Sequence, residues 1–220
     1  MRIACFADSE LTDSSRCDIA RYRYRVFVGQ LGWDLPVPHD HDQDGFDVAY
    51  TRHVVATEVN TIVGYARLLP TTRPYLLRSV FPDLLNGGSA PCDEEVWELS
   101  RYAATDLRHG DASPDISTIV GKALLLEAMR VTQAQGAHTL VFCTTVAVER
   151  LSRRWGMDTR RLGPTKRTSA GLLVAAAMSC KESNMHLLAE GQVQQAHPPR
   201  PAGLRMEFRD GLLSDQALRT

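Results

Sequence analysis

The sequence contains no apolar run near the ~20 residues that a membrane-spanning helix needs. Its opening, MRIACFADSELTDSS, has no charged stretch followed by a long apolar one. No signal peptide is therefore expected, and the expected compartment is cytoplasmic. Cysteine is sparse: Cys5, Cys17, Cys92, Cys143 and Cys180 are scattered, odd in number and without a C-x-x-C pair. That pattern argues against a disulfide framework and against a cysteine zinc site. Neither sign of charge is in excess, with a net charge of −1 over 220 residues, so no nucleic acid partner is expected from overall attraction. One stretch imitates a metal loop. Asp40, Asp42 and Asp44 with Gly45 follow the D-x-D-x-D-G opening of a calcium hand, but Thr51 stands where the bidentate glutamate belongs. His39 and His41 lack further ligands nearby in sequence, and no metal is expected.

What is present is an ordinary globular composition, 44% apolar and 23% charged. Residues 17–31 carry Ile19, Tyr22, Val26 and Phe27 near a helical period and are predicted helical. PVPHDHDQDGFD (36–47) reads as a loop. His53–Val59 and Ile62–Leu69 read as strands of a hairpin around Asn60-Thr61. Val96–Ala104 reads as a strand, Ser117–Gln135 as a helix and Thr139–Thr145 as a strand. Val146–Trp155 reads as a short helix capped by Gly156, and Leu172–Met178 as a last strand. Strands before, between and after helices imply one α/β domain over 1–190. HPPRPAG (197–203) reads as a proline-rich linker within a C-terminal extension, 191–220, either packed back or mobile.

Charged and aromatic residues recur in ordered blocks: Arg23, Phe27 and Trp33, then Asp44 and Asp47 in DGFD, Arg67 in RLLPTTRPY, and Glu98, Ser100 and Arg101 in WELSRYA. Singly, each has a structural explanation as a solvated charge or a core aromatic. Together the blocks resemble, in order, the signatures of acyl-homoserine lactone synthases, the LuxI-type autoinducer synthases. The resemblance runs from about residue 19 to 106 and continues more weakly through LVFCTTVAVERLSRRWG (140–156).

The resemblance implies a three-layer α/β/α sandwich with a mixed, largely antiparallel twisted sheet, like that of the GNAT-type acetyltransferases. A thioester would enter between splayed strands. The donor it implies is an acyl-acyl carrier protein and the acceptor is the amine of S-adenosylmethionine, a substrate here, with no cofactor. The products would be an N-acyl-homoserine lactone, a quorum-sensing signal, and methylthioadenosine. The acceptor presents a sulfonium, an ammonium and a carboxylate. Asp44 and Asp47 can meet its cations, Arg23 and Arg101 its carboxylate, and Phe27 and Trp33 its sulfonium or adenine. Arg67 either joins them or holds the acidic loop through a charge-assisted bond. Glu98 is the candidate base, with Ser100 and Arg101 beside it. On a regular strand Glu98 and Ser100 point one way and Arg101 the other, so a bulge or splay is expected.

Two rival readings share the fold. A coenzyme A-dependent GNAT N-acyltransferase would need an R-x-x-G-x-G/A turn for the pyrophosphate, and TDLRHGDASPDIS (105–117) has none. A binding module without catalysis would leave the charged cleft residues without a purpose. Leu124, Phe142, Thr144, Thr145, Val148 and Leu151 are the expected acyl pocket, with the bulk of Phe142 favouring about six to ten carbons. Arg150, Arg153, Arg154, Arg160, Arg161, Lys166 and Arg167 crowd one short stretch against Asp158 alone. They form either a solvated basic face or the dock for an acidic carrier protein.

Overall fold

Residues 1–108, 114–168 and 171–190 are described by a computed structural model; the extension 191–220, with its proline-rich linker, lies outside them. The chain begins with a strand that sequence patterning does not reveal, β1 (Arg2–Ala7). Helix α1 spans Asp13–Arg23, starting four residues before the expected 17 because the Thr12 side chain caps it by accepting from the Ser15 N–H. It does not continue regularly to 31. From Tyr24 to Gln30 it widens into a π-helix, a rare geometry found mostly at functional sites.

Strands β2 (Arg52–Glu58) and β3 (Thr61–Pro70) form the expected hairpin, and β1 adds to the outer edge of β2. The turn sits one residue earlier than expected. Val59 and Asn60 are both left-handed, with φ of 47° and 61°. This is the paired positive φ of a tight hairpin turn that matches strand twist. Valine is a poor residue for it, and Val59 is 85% exposed, held there by the ladders on both sides. A one-turn helix, α2 (Leu76–Ser79), precedes β4 (Val96–Ala103). There follow α3 (Pro114–Ala134), β5 (Thr139–Thr145), α4 (Val146–Arg154), the short β6 (Arg160–Arg161) and β7 (Lys166–Thr168), β8 (Gly171–Ser179), and α5 (Glu182–Ala189). Gly156, with φ of 85°, ends α4 as expected. Neither the short strands β6 and β7 nor α5 was anticipated from the sequence.

The sheet order is β1-β2-β3-β4-β5-β8-β6, with β7 also on β8. All pairs are antiparallel except β4–β5. One face packs on α3 and α5 through Val54, Leu68, Trp97, Leu124, Met129, Leu140, Phe142 and Leu188. The other face is covered by two separate groups. Tyr22, Val26 and Phe27 lie on Val55 and Tyr65, while Tyr75, Leu77 and Leu84 lie on Leu69, Val141 and Ala175. The result is the three-layer sandwich with a mixed, mainly antiparallel sheet. The single parallel pair is short: Val96↔Thr139, Trp97↔Leu140 and Glu98↔Val141 pair, after which β4 and β5 run on unpaired to one another. The two strands part immediately beyond Glu98.

Candidate functional site

The irregularity expected in WELSRYA is present. Tyr65 pairs with Ala103 but Arg67 pairs with Ser100, so Arg101 and Tyr102 together stand opposite Ala66. Arg101 takes φ of 51°. A left-handed non-glycine residue costs on the order of 1–3 kcal/mol, and such strain persists only where surroundings fix it. Here the bulge turns Arg101 onto the face that Glu98 and Ser100 already occupy, opposite α3.

Three guanidiniums meet three carboxylates on that face. Arg23 donates from Nη1 to both oxygens of Asp47, at 2.8 and 2.9 Å, and from Nη2 to Asp42 at 2.9 Å. Arg67 donates from Nη1 to Asp44 at 2.6 Å and to Asp47 at 2.9 Å. Arg101 donates from Nε to Asp42 at 2.8 Å and from Nη2 to Asp44 at 3.1 Å. Arg23, Arg67 and Asp42 are essentially inaccessible, whereas the Asp44 side chain keeps 19% of its surface and is the most open member. Burial pushes the Asp47 carboxyl up, but Arg23 and Arg67 outweigh it and hold it well below the usual carboxylate range. Asp42 is held low in the same way by Arg23 and Arg101.

Aromatic rings wall the network. Phe27 and Trp33 lie 4.8 Å apart, and the Arg101 guanidinium sits over both, at 5.6 and 6.0 Å. Phe46 lies 5.7 Å from the Arg67 guanidinium. Arg67 thus bonds both acids of the DGFD loop. Its Nε donates to the Ser100 hydroxyl at 3.1 Å, and its Nη2 is buried without an acceptor. Buried donors in folded proteins nearly always find a partner, and this one has none among the described residues.

Glu98 is 1% exposed and meets no arginine directly. Its Oε2 accepts from the Leu76 N–H at 2.9 Å and its Oε1 from the Leu77 N–H at 2.7 Å. Burial pushes its carboxyl up; those two bonds and the more distant Arg67 and Arg101 offset this only in part, leaving it at about 7. A carboxylate poised there suits proton abstraction near neutral pH.

The structure brings Arg23, Phe27, Trp33, Asp44, Asp47, Arg67, Ser100 and Arg101 into one cluster, with Glu98 on the same face. Asp42, hidden in the calcium-like run, joins them without having been expected there. Asp42 and Asp44 spend their oxygens on arginines, and among the described residues no cluster of three or more His, Cys, Asp or Glu is placed to hold a metal. The acyl-pocket candidates are less unified. Leu124 on α3 and Phe142 on β5 are buried together in the core between helix and sheet, Val148 is 38% exposed, and Thr145 caps α4 by accepting from the Val148 N–H. The basic stretch also divides. Buried Glu149 accepts from Arg161 at 2.8 and 2.6 Å and from Arg153 at 3.3 Å. Arg150, Arg154, Arg160 and Arg167 are exposed with no ion pair among the described residues.

The sequence profile of the autoinducer synthase family matches residues 8–188. An acyl-homoserine-lactone synthase of Acinetobacter nosocomialis is 48% identical over 146 residues, covering 65% of this chain and 80% of the relative. One from Ralstonia solanacearum is 40% identical over 171 residues, covering 76% and 82%. The crystal structure of TofI in a ternary complex with an inhibitor and MTA superposes with a TM-score of 0.75 at 34% identity, covering 86% of this chain and 96% of TofI.

Proposed function

The chain belongs to the autoinducer synthase family and is an acyl-homoserine-lactone synthase, and from that premise we propose how its own residues divide the work. The reaction joins an acyl chain to the amine of S-adenosylmethionine and closes the lactone, releasing methylthioadenosine. The observation that carries the division of labour is the contrast between Glu98, buried with only backbone donors, and the neighbouring carboxylates locked to arginines.

Glu98 takes the ammonium proton, directly or through a water, and the freed amine attacks the thioester carbonyl. The gap between β4 and β5 admits the thioester beside it. Collapse of the tetrahedral intermediate expels the donor thiol. The substrate carboxylate then attacks the carbon bonded to the sulfonium, forming the ring C–O bond as the C–S bond breaks; the neutral thioether of methylthioadenosine is a good leaving group, so the step needs chiefly orientation. Asp44, the open member of the network, meets the substrate's cationic groups, and Phe27 and Trp33 stack on its adenine or sulfonium. Arg101, the guanidinium of the three that keeps some surface, takes the substrate carboxylate. Arg23 keeps the acidic loop in place. The acyl chain lies against the β5 and α4 residues Thr144, Thr145, Val148 and Leu151, bounded by Phe142 and Leu124, at a length of about six to ten carbons.

The donor is an acyl-acyl carrier protein, and the enzyme works in the cytoplasm where that donor is made. The exposed Arg150 and Arg154 on α4, Arg160 on β6 and Arg167 on β7 suit an acidic carrier, with Arg153, Arg161 and Lys166 next to them in sequence. Described helices include none long and apolar enough to cross a membrane. The test is mass spectrometry of lactones made by purified enzyme from S-adenosylmethionine with octanoyl-acyl carrier protein or octanoyl-coenzyme A. A kcat/KM at least about tenfold higher with the carrier protein is expected; equal or better use of the coenzyme A ester would overturn the donor assignment.

A further inference from the structure

The block RLLPTTRPY contributes Arg67 to the charged network and leaves the rest of its residues, and the leucines after it, without a role in the reaction. We infer that this segment is a positioning device for Glu98, its Leu76 and Leu77 backbone N–H groups aiming and tuning the carboxylate; the inference rests on the reading of Glu98 as the base.

The segment is built as a rigid support. Pro70 ends β3 opposite Trp97, and the Thr71 hydroxyl donates to the Asp93 carbonyl at 2.9 Å while accepting from the Asp93 N–H at 3.1 Å. The Tyr75 hydroxyl donates to the Pro91 carbonyl at 2.5 Å, and Tyr75 is wholly buried. Leu76 and Leu77 pack with Leu69, Leu85, Val141 and Leu173 under the sheet. Tyr75 is extended, with φ −147° and ψ 164°, and the chain turns into α2 immediately after it. That corner leaves two successive N–H groups with no partner inside the helix, and each takes one oxygen of Glu98. A carboxylate held at both oxygens cannot rotate away from the gap beyond β4. Donors to its ionised form also lower its pKa, against a burial that raises it. Other titratable groups facing Glu98 are Arg67 on β3, Arg101 on β4, Tyr75 before α2 and Cys143 on β5; burial pushes the Tyr75 hydroxyl and the Cys143 thiol each to about 12, so neither ionises near neutrality.

The corner permits a specific test. Leu76 is the first residue of α2, where proline is tolerated, and the extended Tyr75 suits a following proline. Leu76→Pro removes one N–H to Glu98 and no other backbone bond. The pH profile of kcat/KM is measured with S-adenosylmethionine and octanoyl-acyl carrier protein, on Leu76→Pro and on Leu76→Ala, which keeps the N–H. The acid limb of Leu76→Pro is expected to move up by about one pH unit, with KM for S-adenosylmethionine unchanged, and that of Leu76→Ala to stay in place. A general packing defect would lower the whole profile without moving its midpoint, and that result, an unmoved limb in Leu76→Pro, overturns the inference. If Leu76→Pro fails to fold, replacing the Leu77 amide by an ester, with leucic acid inserted by suppression, removes the other N–H and leaves every side chain intact; the same shift is expected. Glu98→Gln separates the two layers of argument. A fully active Glu98→Gln defeats the base assignment itself, whereas an inactive Glu98→Gln with unmoved limbs in the proline and ester variants defeats only the positioning role.

Discussion

Two groups of carboxylates lie on one face of the sheet, both largely shielded from solvent and oppositely tuned. In the acidic loop, Asp42 and Asp47 are enclosed by Arg23, Arg67 and Arg101 and stay ionised well below the ordinary range. Glu98 has two backbone donors as its direct partners and rises to about 7. Burial acts the same way on all three. What separates them is whether a full positive charge arrives with the hydrogen bonds. The loop is consequently a scaffold whose charges are spent on each other, and Glu98 is the group left able to exchange a proton. Ionising Glu98 within the fold, from an ordinary 4.5 to about 7, costs about 3 kcal/mol, which the rest of the structure carries at working pH.

The largest effect should come from breaking the scaffold. Arg23→Met leaves Asp42 and Asp47 partly unpaired in a buried site, and a loss of about 3–5 kcal/mol is expected, seen as a Tm about 10 °C lower. An unaltered Tm would erase the contrast between the two groups. Glu98→Ala should leave a well-folded protein whose kcat/KM falls at least about 100-fold, measured by lactone formation. Next comes the separation of two pH windows. Glu98 must be ionised to act, so kcat/KM should fall as pH drops through about 7. Asp42 and Asp47 have depressed pKa values, so the stability they supply is complete above the ordinary carboxylate value near 4 and is lost only below it. Circular dichroism should therefore report a native protein at about pH 5, where activity is already gone. The smallest effect concerns neither group: Arg154→Glu with Arg160→Glu should raise KM for the acyl-carrier protein about tenfold and leave KM for S-adenosylmethionine unaltered.

The hairpin, α3, β5 and α4 were legible because their apolar periods are long and their ends are marked by turn residues. The charged cluster was legible from ordered blocks, and even the bulge at Arg101 followed from asking how Glu98 and Arg101 share a face. Other features were hidden for physical reasons. β1 is an edge strand buried only at Ala7, and α5 fully buries only Asn184 and Leu188, so neither carries the alternation or apolar stripe that marks an element. The π-helical widening after Arg23 depends on tertiary contacts of Tyr22, Val26 and Phe27, not on propensity. Asp42 was unreadable because D-x-D-x-D resembles a cation loop, and only the arrival of Arg23 and Arg101 from distant segments shows whose charge it meets. The grip of Leu76 and Leu77 on Glu98 is made by backbone, which no side-chain pattern reports.

The most direct measurement is titration of Glu98 itself, following its 13C carboxyl resonance in glutamate-labelled protein, assigned by its disappearance in Glu98→Gln. A midpoint at about 7 is expected, well above the ordinary glutamate value of 4.5. A midpoint at or below the ordinary 4.5 would contradict the account, because Glu98 would then be no differently tuned from the locked carboxylates beside it.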